Sequence, residues 1–205
     1  MTTNLLGFFS RSSAEVARDL IGAQFLVDGL GGVIVETEAY DSSEPASHTY
    51  GGPTPRNRAM FGPPASVYIY RSYGLHWCLN FVCLPASAVL IRALEPRVGI
   101  DAMQRRRGML DVRRLCSGPG RLSQALAIDN ALDGRSLEAA PFQLVPGDGP
   151  SAISIGLRIG ITRAIEIPWR FGLQGSPYLS KRFEATDNAV EIAARRGKAA
   201  TPRRV

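Results

Sequence analysis

The chain has 205 residues, of which 45% are hydrophobic and 20% are charged, a balance typical of a globular domain rather than a disordered chain or a coiled coil. Three cysteines without CxxC spacing argue against a disulfide framework or a zinc cluster, and we expect a reducing cytoplasm. No apolar stretch approaches the roughly 20 residues that a membrane span needs, so we expect no membrane association.

The first forty residues predict one helix and two strands. Ser12 and Glu15 form a capping box for a helix that ends at Gly22. Two strand-like runs, 24–28 and 33–40, follow with a glycine-rich turn between them.

A long irregular loop is predicted over residues 41–66, which are rich in Pro, Gly and Ser, and loops of that length are usually functional. The remaining predicted elements, in chain order, are hairpin strands 67–70 and 75–82, a strand 89–94, helices 100–110 and 120–128, and strands 152–161 and 166–171. We therefore predict a single α+β domain over residues 1–205, in which helices flank a mixed or antiparallel curved sheet with a protruding β-hairpin. The basic tail 195–205 is expected to be frayed.

Positive charge is concentrated in the middle of the chain. The formal net charge is +6, but residues 1–50 hold two arginines against seven acidic residues, whereas residues 51–125 hold eleven arginines against three. This division favours a polyanionic partner such as nucleic acid. The alternative is an arginine-rich surface that is merely solvated.

The strand 33–40 carries the first candidate site. Successive residues of a strand point to opposite faces, and neighbouring residues on the same face are about 7 Å apart along the strand. One face, suited to a core, carries Val33, Val35, Thr37 and Ala39, and the other carries Ile34, Glu36, Glu38 and Tyr40. The second face thus aligns two carboxylates and a phenol, unless the strand simply faces solvent with ordinary glutamates.

The loop after this strand adds His48, ten residues beyond Glu38, where the chain can fold over the same strand face. A lone histidine is more often structural than catalytic. Further along the loop, Arg56 and Arg58 flank Asn57; their side chains suit DNA phosphates or local hydrogen bonds within the loop.

The hairpin 67–82 places Tyr73 at its tip, beside Arg71. An exposed aromatic on a rigid tip can wedge between stacked bases, or it can pack under a neighbouring loop. Tyr40 and Tyr70 can supply stacking walls for a flat, cationic ring.

Six motifs occur in order across nearly the whole chain. They are IVETEAY (34–40), HTYGGPTPRNRAMF (48–61), YIYRSYGLHWCLN (68–80), LIRALEP (90–96), CSGPGRLSQALAI (116–128) and FGLQGSPYLS (171–180). Together they resemble the alkyladenine (3-methyladenine) DNA glycosylases of the mammalian type, in a bacterial-length form. The resemblance implies a base excision repair enzyme that flips alkylated or deaminated purines out of duplex DNA and hydrolyses the bond between base and deoxyribose.

The resemblance also assigns roles to individual residues. Glu38 matches the general base that activates water, Tyr73 matches the intercalating tyrosine, and Asn80 matches the residue that excludes guanine. The other matches are the base-pocket residues Tyr40, Ala46, His48 and Tyr70, and Arg92, which helps to hold water and phosphate. Beside Arg92, we expect phosphate contacts from Arg56, Arg58 and Arg71.

The lysine count limits the chemistry. Only Lys181 and Lys198 are present, far in sequence from the pocket motifs, so we predict a monofunctional enzyme that forms no Schiff base and leaves an abasic site. No cofactor or metal motif is present in the sequence. We expect a monomer acting on nucleoid DNA in a bacterial cytoplasm. There are two alternatives. The presence of Glu38 argues against a non-catalytic binder of damaged DNA, and the basic middle section argues against a nucleoside hydrolase.

Overall fold

Two long neighbouring strands, β2 (Leu30–Asp41) and β5 (Ser87–Val98), form the centre of one curled sheet. The computed structural model describes residues 4–147 and 152–184. The other strands are β1 (Gln24–Val27), β3 (Val67–Ser72), β4 (His76–Val82), β6 (Phe142–Val145), β7 (Ile153–Gly156) and β8 (Arg170–Leu173). Their order is β3-β4-β5-β2-β1-β6, with β8 pairing to β2 and β7 to β8, and every pair within the described ranges is antiparallel. The predicted α+β class is confirmed, with an antiparallel sheet.

Strand β2 changes partners along its length. Its first half pairs with β1, and the segment from Glu36 to Glu38 pairs with β8 on one side and β5 on the other. Both glutamates therefore lie in the middle of the sheet, where neighbouring strands leave no solvent access. The solvent-facing alternative for this strand is excluded, since both side chains are fully buried.

A β-bulge at Val35 interrupts the alternation of β2. Ile34 pairs with Leu94 and Glu36 with Ala93, so Val35 is an extra residue in the register with β5. Ile34 consequently packs in the main core, and the prediction that it shares a face with Glu36 is wrong. Val35 is buried outside that core cluster, contrary to the predicted alternation.

Helices cover one face of the sheet. They are α1 (Leu5–Phe9), α2 (Ser13–Asp19), α3 (Ile100–Arg107), α4 (Val112–Leu115) and α5 (Pro119–Leu126). Two 3-10 helices lie at Arg58–Phe61 and Asn130–Leu132, and Met60 of the first packs against Tyr68 on the opposite face of the sheet. The predicted N-cap is confirmed, since the Ser12 side chain accepts a hydrogen bond from the Glu15 backbone N–H, while the Glu15 carboxylate accepts from the Ser12 hydroxyl. Phe9, Phe25 and Phe81 pack edge-to-face in the core between these helices and the sheet.

Several predicted boundaries are corrected. The strand predicted over 152–161 ends at Gly156, and the one predicted over 166–171 begins only at Arg170. The intervening residues form a loop whose backbone and side chains bond to the candidate site instead of to a strand. Helices α1 and α4 and strand β6 were not predicted, because four or five residues carry little periodicity. The tail 195–205 lies outside the described residues.

Two further observations concern the cysteines and the helices. The three cysteines are buried free thiols. Within residues 4–147 and 152–184, no helix combines the length and apolar character needed to cross a bilayer.

Replacing Gly32 by alanine should destabilise the fold strongly. A Cβ at this position would lie 1.9 Å from the carbonyl oxygen of Glu95 on β5, so the central strand pair would have to separate. We expect the free energy of unfolding in urea to fall by more than about 2 kcal/mol. Gly51→Ala is the matched control, since its Cβ meets open space, and it should change stability by less than about 0.5 kcal/mol. Equal effects of the two substitutions would contradict this account of the β2–β5 contact.

Candidate active site

One row of paired residues crosses the face of the sheet opposite the helices. Tyr68 pairs with Asn80, Asn80 with Leu90, Leu90 with Glu38, and Glu38 with Arg170. Residues paired across strands point to the same face, so five strands contribute one side chain each to this row. The antiparallel order of the sheet, rather than proximity in sequence, thus assembles the site.

Glu38 is fully buried, and both of its carboxylate oxygens are held. Oε1 accepts a hydrogen bond of 2.7 Å from the backbone N–H of Ile159. Oε2 accepts a 2.8 Å hydrogen bond from the Tyr40 hydroxyl and lies 3.2 Å from Nη1 of Arg92. These donors stabilise the ionised carboxylate, the form that a general base requires.

Glu36 anchors the arginines of the site. Its Oε1 lies 2.7 Å from Nε of Arg170 and 3.2 Å from Nε of Arg92, and the Ser180 hydroxyl donates to it as well. Burial alone would lower the pKa of Arg92, but the charges of Glu38 and Glu36 raise it above its ordinary value. The carboxylate oxygens of Glu36 are therefore committed to two arginines and Ser180, which indicates a structural role.

A cavity of about 690 Å³ opens in front of Glu38. Of the predicted site residues, it is lined by Tyr40, Ala46, His48, Arg56, Tyr70, Tyr73, Asn80 and Arg92. Glu38 itself lies behind this lining, in contact with Tyr40 and Arg92. The cavity is therefore walled by aromatic rings, and the buried Glu38 carboxylate lies behind Tyr40 and Arg92 of its lining.

His48 is fixed against two tyrosines. Its ring lies edge-on to Tyr70, with centroids 4.5 Å apart, and its Nδ1 shares a 2.9 Å hydrogen bond with the Tyr68 hydroxyl. The loop that carries His48 is closed by buried Asn57, whose amide donates to the carbonyls of His48 and Gly52. The histidine is therefore a rigid wall of the cavity.

The aromatic walls are electrically neutral near pH 7. Burial, together with the charge of Arg56, lowers the pKa of His48 below 6.5. Burial raises the pKa of Tyr68 to about 12 and raises that of Tyr70 further. The pKa of Tyr40 is also well above its ordinary value because of burial and the adjacent Glu38 charge.

Asn80 and Ala46 occupy fixed positions in the lining. The Asn80 amide nitrogen donates to the carbonyl of Tyr68 at 3.0 Å, and the Ala46 backbone N–H donates to Glu44 at 2.8 Å. Both residues thus present a fixed surface to the cavity, as a shape-selective pocket needs.

The hairpin tip projects Tyr73 into solvent with 88% of its surface exposed. Tyr73 and Gly74 both have positive φ, at +49° and +68°, and the Leu75 N–H bonds the Ser72 carbonyl, as in a type I′ turn. A tyrosine in this backbone region is strained by about 1 kcal/mol, and such strain is concentrated at functional positions. The alternative that Tyr73 packs under a neighbouring loop is excluded.

The three other predicted arginines differ in position. Arg56 lines the cavity, bonds the Arg71 carbonyl at 3.2 Å and approaches the Tyr70 ring, so it joins the loop to the hairpin. Arg71 stacks over Trp77 on the hairpin. Arg58 begins the 3-10 helix with an exposed side chain and lies outside the cavity lining.

Four contributors to the site were missed from the sequence. Tyr68 was detectable, since it alternates with Tyr70 on the same strand. Ile159 acts through its backbone N–H, which no side-chain pattern reveals. Arg170 and Ser180 reach Glu36 from more than 130 residues away. Among the described residues, no group of three potential metal ligands occurs.

Comparison with known proteins identifies the family of the chain. The family model for methylpurine-DNA glycosylase matches residues 7–177. Relatives named "Putative 3-methyladenine DNA glycosylase" are 61% identical in Rhizobium meliloti (88% of this chain, 98% of the relative) and 59% identical in Nitrosospira multiformis (87% and 94%). A third, from Agrobacterium fabrum, is 59% identical (86% and 92%).

The protein is thus a DNA glycosylase, a hydrolase that acts on N-glycosyl bonds. The chain belongs to the methylpurine-DNA glycosylase family, and the family resemblance of its six motifs is confirmed.

The protonation of His48 can be measured directly by NMR titration. We expect a pKa below 6.5, and Arg56→Ala should raise it toward that value without reaching it, because burial remains. Because folding lowers the pKa of His48, this residue does not reduce the free energy of unfolding above pH 6.5. As the pH falls from 6.5 through the folded pKa, the free energy of unfolding decreases, since the unfolded state binds the proton more readily. A His48 pKa above 6.5 in the native protein would contradict the conclusion that the His48 ring in the cavity wall is neutral.

Proposed function

We propose that residues 1–205 act as one monofunctional glycosylase domain of base excision repair. The substrates are damaged purines in duplex DNA, of the class of 3-methyladenine, 7-methylguanine, hypoxanthine and ethenoadenine. The enzyme flips the damaged nucleotide into the cavity, and Glu38 activates water to hydrolyse the N-glycosidic bond. The product is free base and an abasic site.

The observation that carries this mechanism is the environment of Glu38. A buried carboxylate that accepts hydrogen bonds from Tyr40 and a backbone N–H and pairs with Arg92 lies behind a cavity of a size suited to a nucleotide. Glu38 takes a proton from water as the water oxygen attacks the anomeric carbon. The C–N bond breaks, and its electron pair leaves with the purine.

The neutral aromatic lining supports a preference for electron-poor purines. His48 and Tyr70 meet edge to face, and the tyrosine hydroxyls remain protonated. Their rings attract a cationic base such as 3-methyladenine through cation–π interactions, without a charge that would repel it. A cationic base is also a good leaving group. Asn80, whose amide is fixed in the lining, would exclude guanine.

The exposed hairpin tip supports base flipping. Turning a nucleotide out of the helix costs a few kcal/mol, and Tyr73 would offset this cost by filling the vacated stack. Leu75, also exposed, extends the apolar tip. Arg56, Arg58 and Arg71 would hold the phosphates on either side, and Arg92 would orient the water and the phosphate nearest the base.

The position of Lys181, the one lysine among the described residues, supports monofunctional chemistry. The Lys181 side chain is exposed and lies 3.5 Å from Glu184, and Lys181 is not part of the cavity lining. A Schiff base with the sugar needs an amine at the anomeric carbon. The DNA-facing hairpin and cavity belong to one chain, so we infer a monomer that acts on nucleoid DNA in the bacterial cytoplasm.

Glu38→Gln tests the general base. The single-turnover rate of base release from duplex DNA carrying 3-methyladenine or hypoxanthine should fall about 100- to 10,000-fold, because the amide cannot accept the water proton. Binding to the lesion duplex should be retained. Glu138→Gln, an exposed carboxylate, is the control and should leave the rate unchanged. Full base release by the Glu38→Gln enzyme would remove Glu38 from this role.

Tyr73→Ser tests the wedge. The dissociation constant for lesion duplex, measured by fluorescence anisotropy, should rise about tenfold, since an aromatic–base stack contributes ~1–3 kcal/mol. Binding to single strands should change much less. Leu110→Ser, at another exposed apolar position, is the matched control and should affect neither. Equal weakening on duplex and single strands would show that Tyr73 is not a wedge.

A further inference from the structure

A buried ion pair joins two loops beside the candidate active site. Arg158 Nη1 and Nη2 lie 2.7 Å and 3.0 Å from the two carboxylate oxygens of Glu44. The side chains are 0% and 3% exposed. Burying two charges costs several kcal/mol in desolvation, so such a pair is weak evidence of stabilisation and better explained by a demand for fixed geometry.

The same two side chains also bind the backbone around them. Arg158 donates to the carbonyls of Ala39 on β2, at 3.0 Å, and of Ala164, at 3.2 Å. Glu44 accepts from the backbone N–H of Ala46, which lines the cavity. The pair therefore fixes the loop that follows β2, the loop that follows β7, and the end of β2 itself as one unit.

This unit reaches both oxygens of Glu38. Ile159, the residue after Arg158, donates its backbone N–H to Oε1. The Arg158 guanidinium lies 4.8 Å from the ring centre of Tyr40, whose hydroxyl donates to Oε2. Arg92, the third donor to Glu38, is held separately, by Glu36 and Ser180.

We propose that Arg158 and Glu44 are positioning residues for the glycosylase reaction. Their ion pair holds the Ile159 N–H and the Tyr40 hydroxyl against Glu38, and so sets the direction of the remaining lone pair of the Glu38 carboxylate. Arg158 suits this task because a planar guanidinium has donors in a rigid fork, which lysine lacks. This inference rests on the proposed role of Glu38 as the general base.

The test is a double-mutant cycle on single-turnover excision. Arg158→Lys keeps the positive charge but removes the paired guanidinium donors. Glu44→Gln keeps the size of the side chain but replaces the carboxylate acceptor with a neutral amide. Each should lower the plateau rate of base release by about 10- to 100-fold, while the half-saturating enzyme concentration changes less than threefold. In the Glu38→Gln background, each should have little further effect, because the group being positioned has gone.

Arg11→Lys is the control, since it alters an exposed ion pair, with Asp19, and should leave the rate unchanged. Thermal melting identifies which variants are folded at the assay temperature. If Arg158→Lys unfolds, the cycle is run with Glu44→Gln, which retains one acceptor for Arg158.

The outcomes separate this proposal from the proposed function. A rate that falls equally in the native and Glu38→Gln backgrounds, or a loss confined to DNA affinity, would overturn the positioning role while leaving the general base in place. A Glu38→Gln enzyme with an unchanged rate would overturn the general base itself.

Discussion

The structure depends on the burial of two carboxylates in the centre of a sheet. Glu36 and Glu38 are both fully buried, and charges removed from water are tolerated only when paired and hydrogen-bonded. Arg92 bridges the two, and Arg170 completes a group of two negative and two positive charges. Because the carboxylates belong to β2 and the guanidiniums to β5 and β8, the same contacts that neutralise the charges fix the three strands against one another.

This arrangement divides the two glutamates by their surroundings. Glu36 is enclosed by two arginines and Ser180, so its oxygens are committed to structure. Glu38 shares one of these arginines, Arg92, and otherwise contacts Tyr40 and a loop N–H behind the cavity lining. The two carboxylates thus lie behind the cavity lining, which holds Arg56 and Arg92 together with walls of neutral histidine and tyrosine whose rings attract a cationic ring. Two carboxylates of the same strand therefore support different roles.

The parts of the site that sequence reasoning predicted are those carried by local patterns. Alternation along β2 placed Glu36, Glu38 and Tyr40 on one face, and the turn between two β-prone runs placed Tyr73 at a hairpin tip. Both placements depend only on near neighbours in the chain. The same reasoning misplaced Ile34, because the bulge at Val35 arises from the register with β5 and leaves no signature in the strand itself.

The sequence by itself determined the α+β class, the carboxylate strand, the hairpin and, through its motifs, the family. Only the tertiary structure decided that Glu36 is structural, that the loop after β7 supplies the Ile159 N–H, and that Arg158 pairs with Glu44. The physical reason is the length of chain between partners, because contacts between residues more than 100 positions apart depend on strand order and register. In addition, a backbone N–H donor can belong to almost any residue type, so its role cannot be read from the sequence. Local periodicity contains neither kind of information.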